Sequence, residues 1–276
     1  MIRILVDSAS DVPYNNSENI YVVPLSVTIN ETTYLDGVQL GHDEFYDILT
    51  STDTFPKSSQ PSPQAFAEAF EKAKEKDEEL ICILLSSGVS GTYQSACLAK
   101  NIVGYDKIHI IDSLTGSYGV YLLVQEAQRM IQRGCSAQEI VAEIEKLKSR
   151  VMVYLSVDTL EYLYRGGRLS KASALIGSVA KIKPVIYVTG EGTIGVFNKQ
   201  IGISRAINAL ADVAKNNPAD ENHAFYTICT AGTHNIEMLE DRLAESGVSV
   251  TQRIQMGPVV GTHAGPEAFG IIYIKK

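Results

Sequence analysis

Residues 80–93, with the sequence LICILLSSGVSGTY, hold the pattern that decides the fold. The six apolar residues at 80–85 predict a buried strand, and a loop rich in serine and glycine follows at 86–91. A helix is predicted from Thr92 to Val103. A strand followed by a polar loop and a helix is typical of open parallel α/β sheets, in which ligands bind at the carboxyl ends of the strands. This stretch therefore predicts both the fold class and one edge of a ligand site.

The same alternation of strands and helices covers the first 150 residues. Apolar runs predict strands at 2–6, 21–29 and 107–111. Helices are predicted after Ser62-Pro63, where Ser suits the N-cap and Pro the first helical position, and near 116–132 and 137–148. The order favours a three-layer α/β/α domain with a parallel sheet, which we place at residues 1–150.

The pattern changes beyond residue 150. Two β-rich runs at 184–189 and 193–198 flank Gly190-Glu191-Gly192, and this arrangement is typical of a hairpin. The other predicted elements are a strand at 151–157, a Gly- and Arg-rich loop, an apolar helix at 172–180, a helix at 201–215, a strand at 223–230, a helix at 234–245 and a strand at 248–255. Because a hairpin places antiparallel strands side by side, we predict a second α/β domain with a mixed sheet at residues 151–276. The two domains should meet in a cleft.

Composition excludes several classes of protein. Of the 276 residues, 45% are hydrophobic and 20% are charged, which is close to the average of soluble globular proteins. The net charge of −8 argues against nucleic acid and anionic membrane surfaces as partners. Neither a membrane-spanning apolar segment nor a signal peptide is evident, and the four cysteines form no C-x-x-C pair. We expect a cytoplasmic protein in a reducing compartment.

Three polar segments are candidates for a ligand site. The first, 57–62, has the sequence KSSQPS and offers the hydroxyl groups of Ser58 and Ser59, while turn and capping chemistry alone would explain Ser62. The second is the loop at 86–91, where the serines and the backbone N–H groups before a helix suit an anion. It is neither a Walker A loop nor a nucleophile elbow. The third is 261–266, GTHAGP, in which His263 is predicted to lie in a tight loop.

A fourth segment, 164–171, has the sequence YRGGRLSK and carries three positive charges. Guanidinium groups such as those of Arg165 and Arg168 suit phosphate or carboxylate recognition, and Lys171 adds a third cation. The alternative interpretation is a solvated loop in which Ser170 caps the next helix.

Five motifs in one order resemble those of the DegV family. They are ILVDS at 4–8, SSQPS at 58–62, LSS and SGTY within 85–93, YLYRGGRLS at 162–170 and GTH at 261–263. The better-understood members of this family resemble the fatty-acid-binding subunit of bacterial fatty acid kinase. The resemblance implies a two-domain α/β protein that holds a long-chain fatty acid, such as palmitate or oleate, in a buried tunnel. It implies no cofactor and no metal.

The resemblance also implies which residues meet the ligand. The carboxyl group would be bound by a hydroxyl of the 58–59 segment, by Ser90 with the backbone of Gly91, and near His263. The family commonly has Thr where this chain has Ser58, so the hydroxyl is kept and a methyl group is lost. A separate kinase subunit would hold ATP and phosphorylate the bound acid. We expect Arg165, Arg168 and Lys171 to face that subunit or the incoming phosphoryl group.

Two alternatives remain open at the level of sequence. One is a serine hydrolase or acyltransferase that uses Ser90, His263 and an acid such as Asp7 or Asp112. The other is a nucleotide- or sugar-phosphate-binding domain that uses the helix N-terminus after Gly91. Covalent labelling by a fluorophosphonate would favour the first, and thermal stabilisation by phosphates would favour the second.

Overall fold

The computed structural model describes residues 1–12, 20–52, 54–169 and 182–276. The strands are β1 (Ile2–Asp7), β2 (Ile20–Val23), β3 (Ser26–Ile29), β4 (Thr32–Leu35), β5 (Lys57–Ser59), β6 (Glu79–Leu84), β7 (Ile108–Asp112), β8 (Val151–Ser156), β9 (Ile182–Val188), β10 (Ile194–Ile201), β11 (Tyr226–Cys229), β12 (Gln252–Gln255) and β13 (Phe269–Ile274). The helices are α1 (His42–Ser51), α2 (Pro63–Glu75), α3 (Thr92–Val103), α4 (Tyr118–Gln132), α5 (Ala137–Leu147), α6 (Glu161–Arg165), α7 (Ile203–Asn216), α8 (His234–Glu245) and α9 (Pro258–Ala264). The helix predicted at 172–180 lies outside the described residues.

The first sheet is four-stranded and parallel, with the order β2-β1-β6-β7. Its interior strand β6 is buried on both faces, which explains the continuous apolar run in the sequence. Ile81 and Ile83 pack with α4 and α5 on one face, whereas Leu80 and Cys82 pack with α2 and α3 on the other. The predicted three-layer arrangement is confirmed.

The second sheet is six-stranded, with the order β10-β9-β8-β13-β11-β12. Its neighbours are antiparallel except for β11 and β12, which run parallel, so the predicted mixed sheet is confirmed. Phe269, Ile271 and Tyr273 pack with α7 and α8 on its outer face. The sequence prediction ended at residue 255 and missed β13, a fully buried strand in the interior of this sheet. Its apolar run shows no alternation, because both faces are covered.

A third sheet, absent from the sequence prediction, has the antiparallel order β4-β3-β5. The single segment predicted at 21–29 is in fact two strands, β2 and β3, which belong to different sheets. The break falls at Pro24, which has no N–H to donate to a strand ladder. Ser58 is consequently held on a strand, β5, where it pairs with Val27, and not in a loop as predicted.

Helix α4 lies between the two larger sheets and gives them a common core. Its residues Val120 and Leu123 belong to the same apolar cluster as Ile83 of β6, Val153 of β8 and Ile272 of β13. The parallel sheet is built from residues before 113 and the mixed sheet from residues after 150. The division into domains 1–150 and 151–276 remains our proposal.

Buried carboxyl groups link the segments that meet at this junction. Asp7, at the end of β1, accepts hydrogen bonds from backbone N–H groups, including that of Leu85 at 2.7 Å. The carboxyl group of Asp11 is hydrogen-bonded to the hydroxyl of Ser117 and to the backbone N–H of Gly257. Both contacts of Asp11 are with residues that immediately precede helices, α4 and α9. The carboxyl groups therefore hold the ends of elements from both halves of the chain together.

Burial changes the ionisation of Asp7, Asp11 and a third buried carboxyl group, that of Asp36. It raises the pKa of Asp7 to about 6 and the pKa values of Asp11 and Asp36 to about 7, from an ordinary value of 3.8. His42 lies beside Asp36, and burial lowers the pKa of its imidazole. The folded protein thus binds protons at these carboxyl groups more tightly than the unfolded chain does.

Stability should therefore fall as the pH rises through these raised pKa values. Asp11→Asn keeps a neutral amide at that position and removes one titrating group. Between about pH 5 and pH 8 we expect the free energy of unfolding of the wild type to decrease by about 2 kcal/mol more than that of the variant. Urea unfolding at several pH values measures the difference. Asp241→Asn, at an exposed position, is the control and should follow the wild type; parallel curves for the wild type and Asp11→Asn would contradict the prediction.

Candidate functional site

An apolar cavity lies between the mixed sheet, helix α9 and the loops at the carboxyl ends of β6 and β7. The space within its walls that no atom fills is about 810 Å³, a figure that includes solvent at the open mouth. The apolar lining residues are Leu25, Leu85, Val89, Val153, Leu155, Leu163, Ile186, Val188, Ile194, Met256, Val259, Val260, Ala264 and Ile272. Residues from β8, β9, β10 and β13 supply one wall, because alternate side chains of these strands point to the same face. The cavity thus has the character of a site for an aliphatic chain.

Polar groups in the wall include the side chains of Ser58, Ser90, Arg168 and His263. The Oγ atom of Ser58 lies 2.8 Å from Nε2 of His263, so β5 and α9 meet through a hydrogen bond. The guanidinium of Arg168 donates from Nε to the carbonyl oxygen of Val89 at 3.0 Å, next to Ser90 in the chain. The structure therefore brings together three of the residues predicted for the carboxyl group and one predicted for a partner.

His263 lies in the last turn of helix α9 and not in the tight loop predicted from sequence. The helix begins with Pro258 at its first position, which favours helix initiation. Gly261 lets it approach α1 closely, since a Cβ atom there would lie 2.4 Å from the hydroxyl of Tyr46. That hydroxyl also donates to the carbonyl oxygen of Met256 at 2.8 Å. These contacts fix the helix, and hence His263, against the first half of the chain.

The imidazole of His263 is neutral at physiological pH. Burial lowers the pKa of His263 to about 3, and the positive charge of Arg168 acts in the same direction. Nδ1 is buried, and no residue in the described part of the chain forms a hydrogen bond with it. His263 can therefore donate or accept a hydrogen bond but does not provide a positive charge for an anion.

Ser90 precedes α3, and its hydroxyl is only partly engaged. Its Oγ lies 2.9 Å from Oγ1 of Thr92 and accepts a hydrogen bond from the backbone N–H of Thr92 at 3.3 Å. Gly91 is next in the chain, but it does not itself line the cavity. Ser59 is exposed and lies on the opposite side of β5 from Ser58, as strand alternation requires. Of the five residues predicted for the carboxyl group, Ser58, Ser90 and His263 line the cavity.

The two arginines of the 164–171 segment have different environments. Arg168 lines the cavity, and within the described part of the chain no carboxylate pairs with it. Burial lowers the pKa of Arg168. Arg165 is exposed, forms an ion pair with Glu161 and lies over the ring of Phe55 at 4.1 Å. Lys171 lies outside the described residues.

Arg168 adds a charged group to the cavity wall. Among the described residues, the segments around Ser58, Ser90 and His263 contribute no Lys or Arg side chain to the lining. The structure places a cation in the same cavity by way of a different segment, one turn after α6. Ser86 and Ser117 also line the cavity, and the prediction did not assign them. The sequence feature that could have identified them is their position, since Ser86 follows a strand and Ser117 precedes a helix.

The catalytic triad considered as an alternative is not assembled. His263 is hydrogen-bonded to Ser58 and not to Ser90, and within residues 1–12, 20–52, 54–169 and 182–276 no acid is hydrogen-bonded to Nδ1 to orient the ring. Asp7 is engaged with backbone N–H groups, and the carboxylate of Asp112 accepts from the Ser87 backbone at 3.0 Å. The geometry therefore lacks the base and acid contacts that would activate Ser90.

In residues 1–12, 20–52, 54–169 and 182–276, no group of three or more His, Cys, Asp or Glu side chains is arranged to hold a metal ion. None of the helices described above combines the length and apolar character that crossing a bilayer requires.

Comparison with known proteins gives relatives over the full length. A DegV domain-containing protein of Caldanaerobacter subterraneus subsp. tengcongensis is 36% identical over 281 residues, covering 100% of this chain and 99% of that protein. DegV of Bacillus subtilis, described as a fatty acid binding protein, is 30% identical with a TM-score of 0.85, covering 100% and 99% of the two chains. A stearic acid-binding protein of Eubacterium ventriosum is 29% identical with a TM-score of 0.87 and the same coverage.

A family model described as an uncharacterised protein of the DegV family matches residues 1–276. The parallel sheet and the mixed sheet of this chain match those of the two-domain structures of that family. The resemblance carried by five motifs in the sequence is therefore confirmed over the whole chain. The chain belongs to the DegV family.

Proposed function

We propose that this protein binds one long-chain fatty acid, with the acyl chain in the apolar cavity and the carboxyl group at Ser58, Ser90 and His263. The observation that carries the proposal is an apolar cavity whose wall contains a hydrogen-bonded Ser–His pair. Relatives of known structure that bind fatty acids have the same fold over their full length. Palmitate and oleate are the ligands we expect.

The tail of such a ligand can supply most of the affinity. Each methylene transferred from water to an apolar site contributes about 0.8 kcal/mol, so about fifteen contribute on the order of 12 kcal/mol before the entropic cost of binding. Fourteen apolar side chains line the cavity. The polar groups need only to orient the head group.

The head group would meet hydroxyl donors and one cation. The hydroxyls of Ser58 and Ser90 can donate to a carboxylate, and a backbone N–H near Gly91 can add a third donor. Arg168 offers in the same wall a guanidinium that no carboxylate of the described residues pairs with, which favours the ionised form of the acid. The exposed side chain of Ser59 points away from this position, so the proposal depends on Ser58.

We further propose that the carboxyl group is presented to a partner kinase, which converts it to an acyl phosphate. The chain carries no Walker A loop, so the phosphoryl donor would come from the partner, and the protein would be a lipid-binding subunit rather than an enzyme. Arg168 and Arg165 lie on successive turns near the Ser58–His263 pair, with Arg168 in the cavity and Arg165 at the surface. Lys171, outside the described residues, is the third cation proposed for this contact. We place the protein in the cytoplasm.

Native mass spectrometry of the freshly purified protein tests the ligand. We expect a stoichiometric adduct with the mass of a long-chain fatty acid, released by organic extraction. The apolar cavity supplies the physical reason, because water would solvate it poorly. A protein that is empty and also fails to take up added palmitate and oleate would contradict the proposal.

Two variants test the proposed contacts of the acyl chain and of the carboxyl group separately. Val153→Phe adds a ring in the cavity wall and should shorten the preferred acyl chain. Ser58→Ala should leave chain-length preference unchanged but weaken binding about tenfold, because one hydrogen bond to a charged group is lost. Ile201→Phe, at an exposed position on β10, is the matched control for the added ring. If Val153→Phe bound the same series of chains as the wild type, the acyl chain would not lie in this cavity.

The kinase contact has its own test. With the cognate kinase and saturating fatty acid, which offsets the lost contact with the head group, Arg168→Ala should form acyl phosphate at least about tenfold more slowly, because a charge-assisted contact is lost. Arg242→Ala, on the exposed face of α8, should behave as the wild type. Full acyl phosphate formation and unchanged affinity for the kinase in Arg168→Ala would exclude the role proposed for this residue.

A further inference from the structure

Gly166 contacts the ring of His263, although nothing in its own backbone requires glycine. It ends α6 with φ −72° and ψ −10°, an ordinary helical conformation that any L-residue adopts. A Cβ atom at this position would lie 2.2 Å from Nδ1 and 2.7 Å from Cε1 of His263. The next residue, Gly167, is the opposite case, because it has φ +73° but open space around its Cα. Among the described residues, His263 is therefore the tightest obstacle to a side chain at position 166, and the carbonyl oxygen of Tyr162, at 3.0 Å from the added Cβ, is the next.

The ring is held so that Nδ1 faces this glycine and Nε2 faces Ser58. Nδ1 is buried and has no hydrogen-bond partner among the described residues, whereas Nε2 lies 2.8 Å from Oγ of Ser58. An unpaired N–H in a protein interior is rarer than an unpaired acceptor, so the proton belongs on Nε2. His263 then donates to Ser58, and the hydroxyl hydrogen of Ser58 is free to point away from the ring.

We propose that Gly166 is a positioning residue for the carboxyl site: by having no side chain, it lets His263 sit with its proton on Nε2, which turns the Ser58 hydroxyl into a donor toward the ligand. This inference uses the proposed function only to name the fatty-acid carboxylate as the acceptor. Gly166 thereby has a role in the site that the charges of the neighbouring Arg165 and Arg168 do not explain.

The surrounding bonds hold Gly166 in place on both sides. Its N–H donates to the carbonyl oxygen of Tyr162 at 2.9 Å, and its own carbonyl oxygen accepts from Nη1 of Arg168 at 2.5 Å. Arg168 is itself tied to Val89. Because the backbone at Gly166 cannot retreat without breaking these bonds, an added methyl group must displace the imidazole.

The ring nitrogens of His263 report the tautomer directly. In long-range ¹⁵N–¹H spectra of protein labelled at histidine, we expect a protonated Nε2 and an unprotonated Nδ1, with the resonances assigned by their loss in His263→Ala. Gly166→Ala should shift these resonances. A proton on Nδ1 in the wild type, or unchanged resonances in Gly166→Ala, would overturn the inference.

Binding of palmitate supplies the functional readout. Gly166→Ala and His263→Ala should each weaken it about tenfold, the effect of one misplaced hydrogen bond to a charged group. The double variant Gly166→Ala/His263→Ala should bind no more weakly than His263→Ala, because Gly166 acts through the ring. Additive losses would show that Gly166 acts in another way and would overturn the inference.

Two control variants distinguish the steric contact with His263 from a change in backbone conformation. Gly167→Ala strains the neighbouring backbone without approaching His263, and Gly232→Ala adds a methyl group in open space. Both should keep the wild-type ring resonances, and Gly167→Ala should lower only the midpoint of thermal unfolding. A shift of the His263 resonances in Gly167→Ala as large as that in Gly166→Ala would count against the contact.

Failure of folding and failure of the proposed function remain distinguishable. If Gly166→Ala does not fold, removing the ring in Gly166→Ala/His263→Ala should restore folding, and a double variant that stays unfolded would overturn the inference. If the wild type binds no palmitate, the proposed function fails, while the resonances of His263 still decide the role of Gly166.

Discussion

The packing of helix α4 between two sheets is the contact on which the other features depend. Its apolar residues share one cluster with β1 and β6 on one side and with β8 and β13 on the other. Separating the sheets would expose that cluster to water, and the cost of such exposure grows with the apolar area. The packing of α4 therefore fixes the distance between the parallel sheet and the mixed sheet. The cavity lies near the start of α4, between the mixed sheet and the loops that follow the parallel strands.

The junction that creates the cavity also sets its chemistry. The loops at the carboxyl ends of the parallel strands face the mixed sheet, so hydroxyls and backbone N–H groups meet an apolar wall. Buried carboxyl groups tie these loops to the segment before α9, and α9 carries His263. An amphiphile with an aliphatic tail and a small acidic head matches both halves of this surface.

Among the described residues, the polar end of the cavity presents the guanidinium of Arg168 and several neutral polar groups. His263 is neutral because it is buried and lies near Arg168. Its partner Ser58 is held on a strand, and the ring itself is limited by the Cα of Gly166. Close packing around a neutral imidazole fixes a hydrogen-bond direction, which a solvated charged group would not do. Under the proposed function, that direction is what a partner enzyme would need in order to reach the carboxyl oxygen.

The amino-acid sequence alone determined the α/β class, the parallel and mixed sheets and the helix at Thr92–Val103, since these follow from local apolar periodicity and capping residues. Its motifs also identified the family and placed Ser58, Ser90 and His263 in one site. Local patterns could not show that β13 lies inside the mixed sheet or that 21–29 divides between two sheets, because burial on both faces removes the alternation that a pattern needs. They could not distinguish cavity-lining residues such as Val153 from ordinary core residues such as Val120. Both are apolar, and they differ only in whether the side chain faces the cavity or packs against other side chains. The tertiary structure alone decided that Arg168 enters the cavity and that Gly166 faces His263, because these contacts join residues about 80 to 100 positions apart in the chain, and only packing brings such residues together.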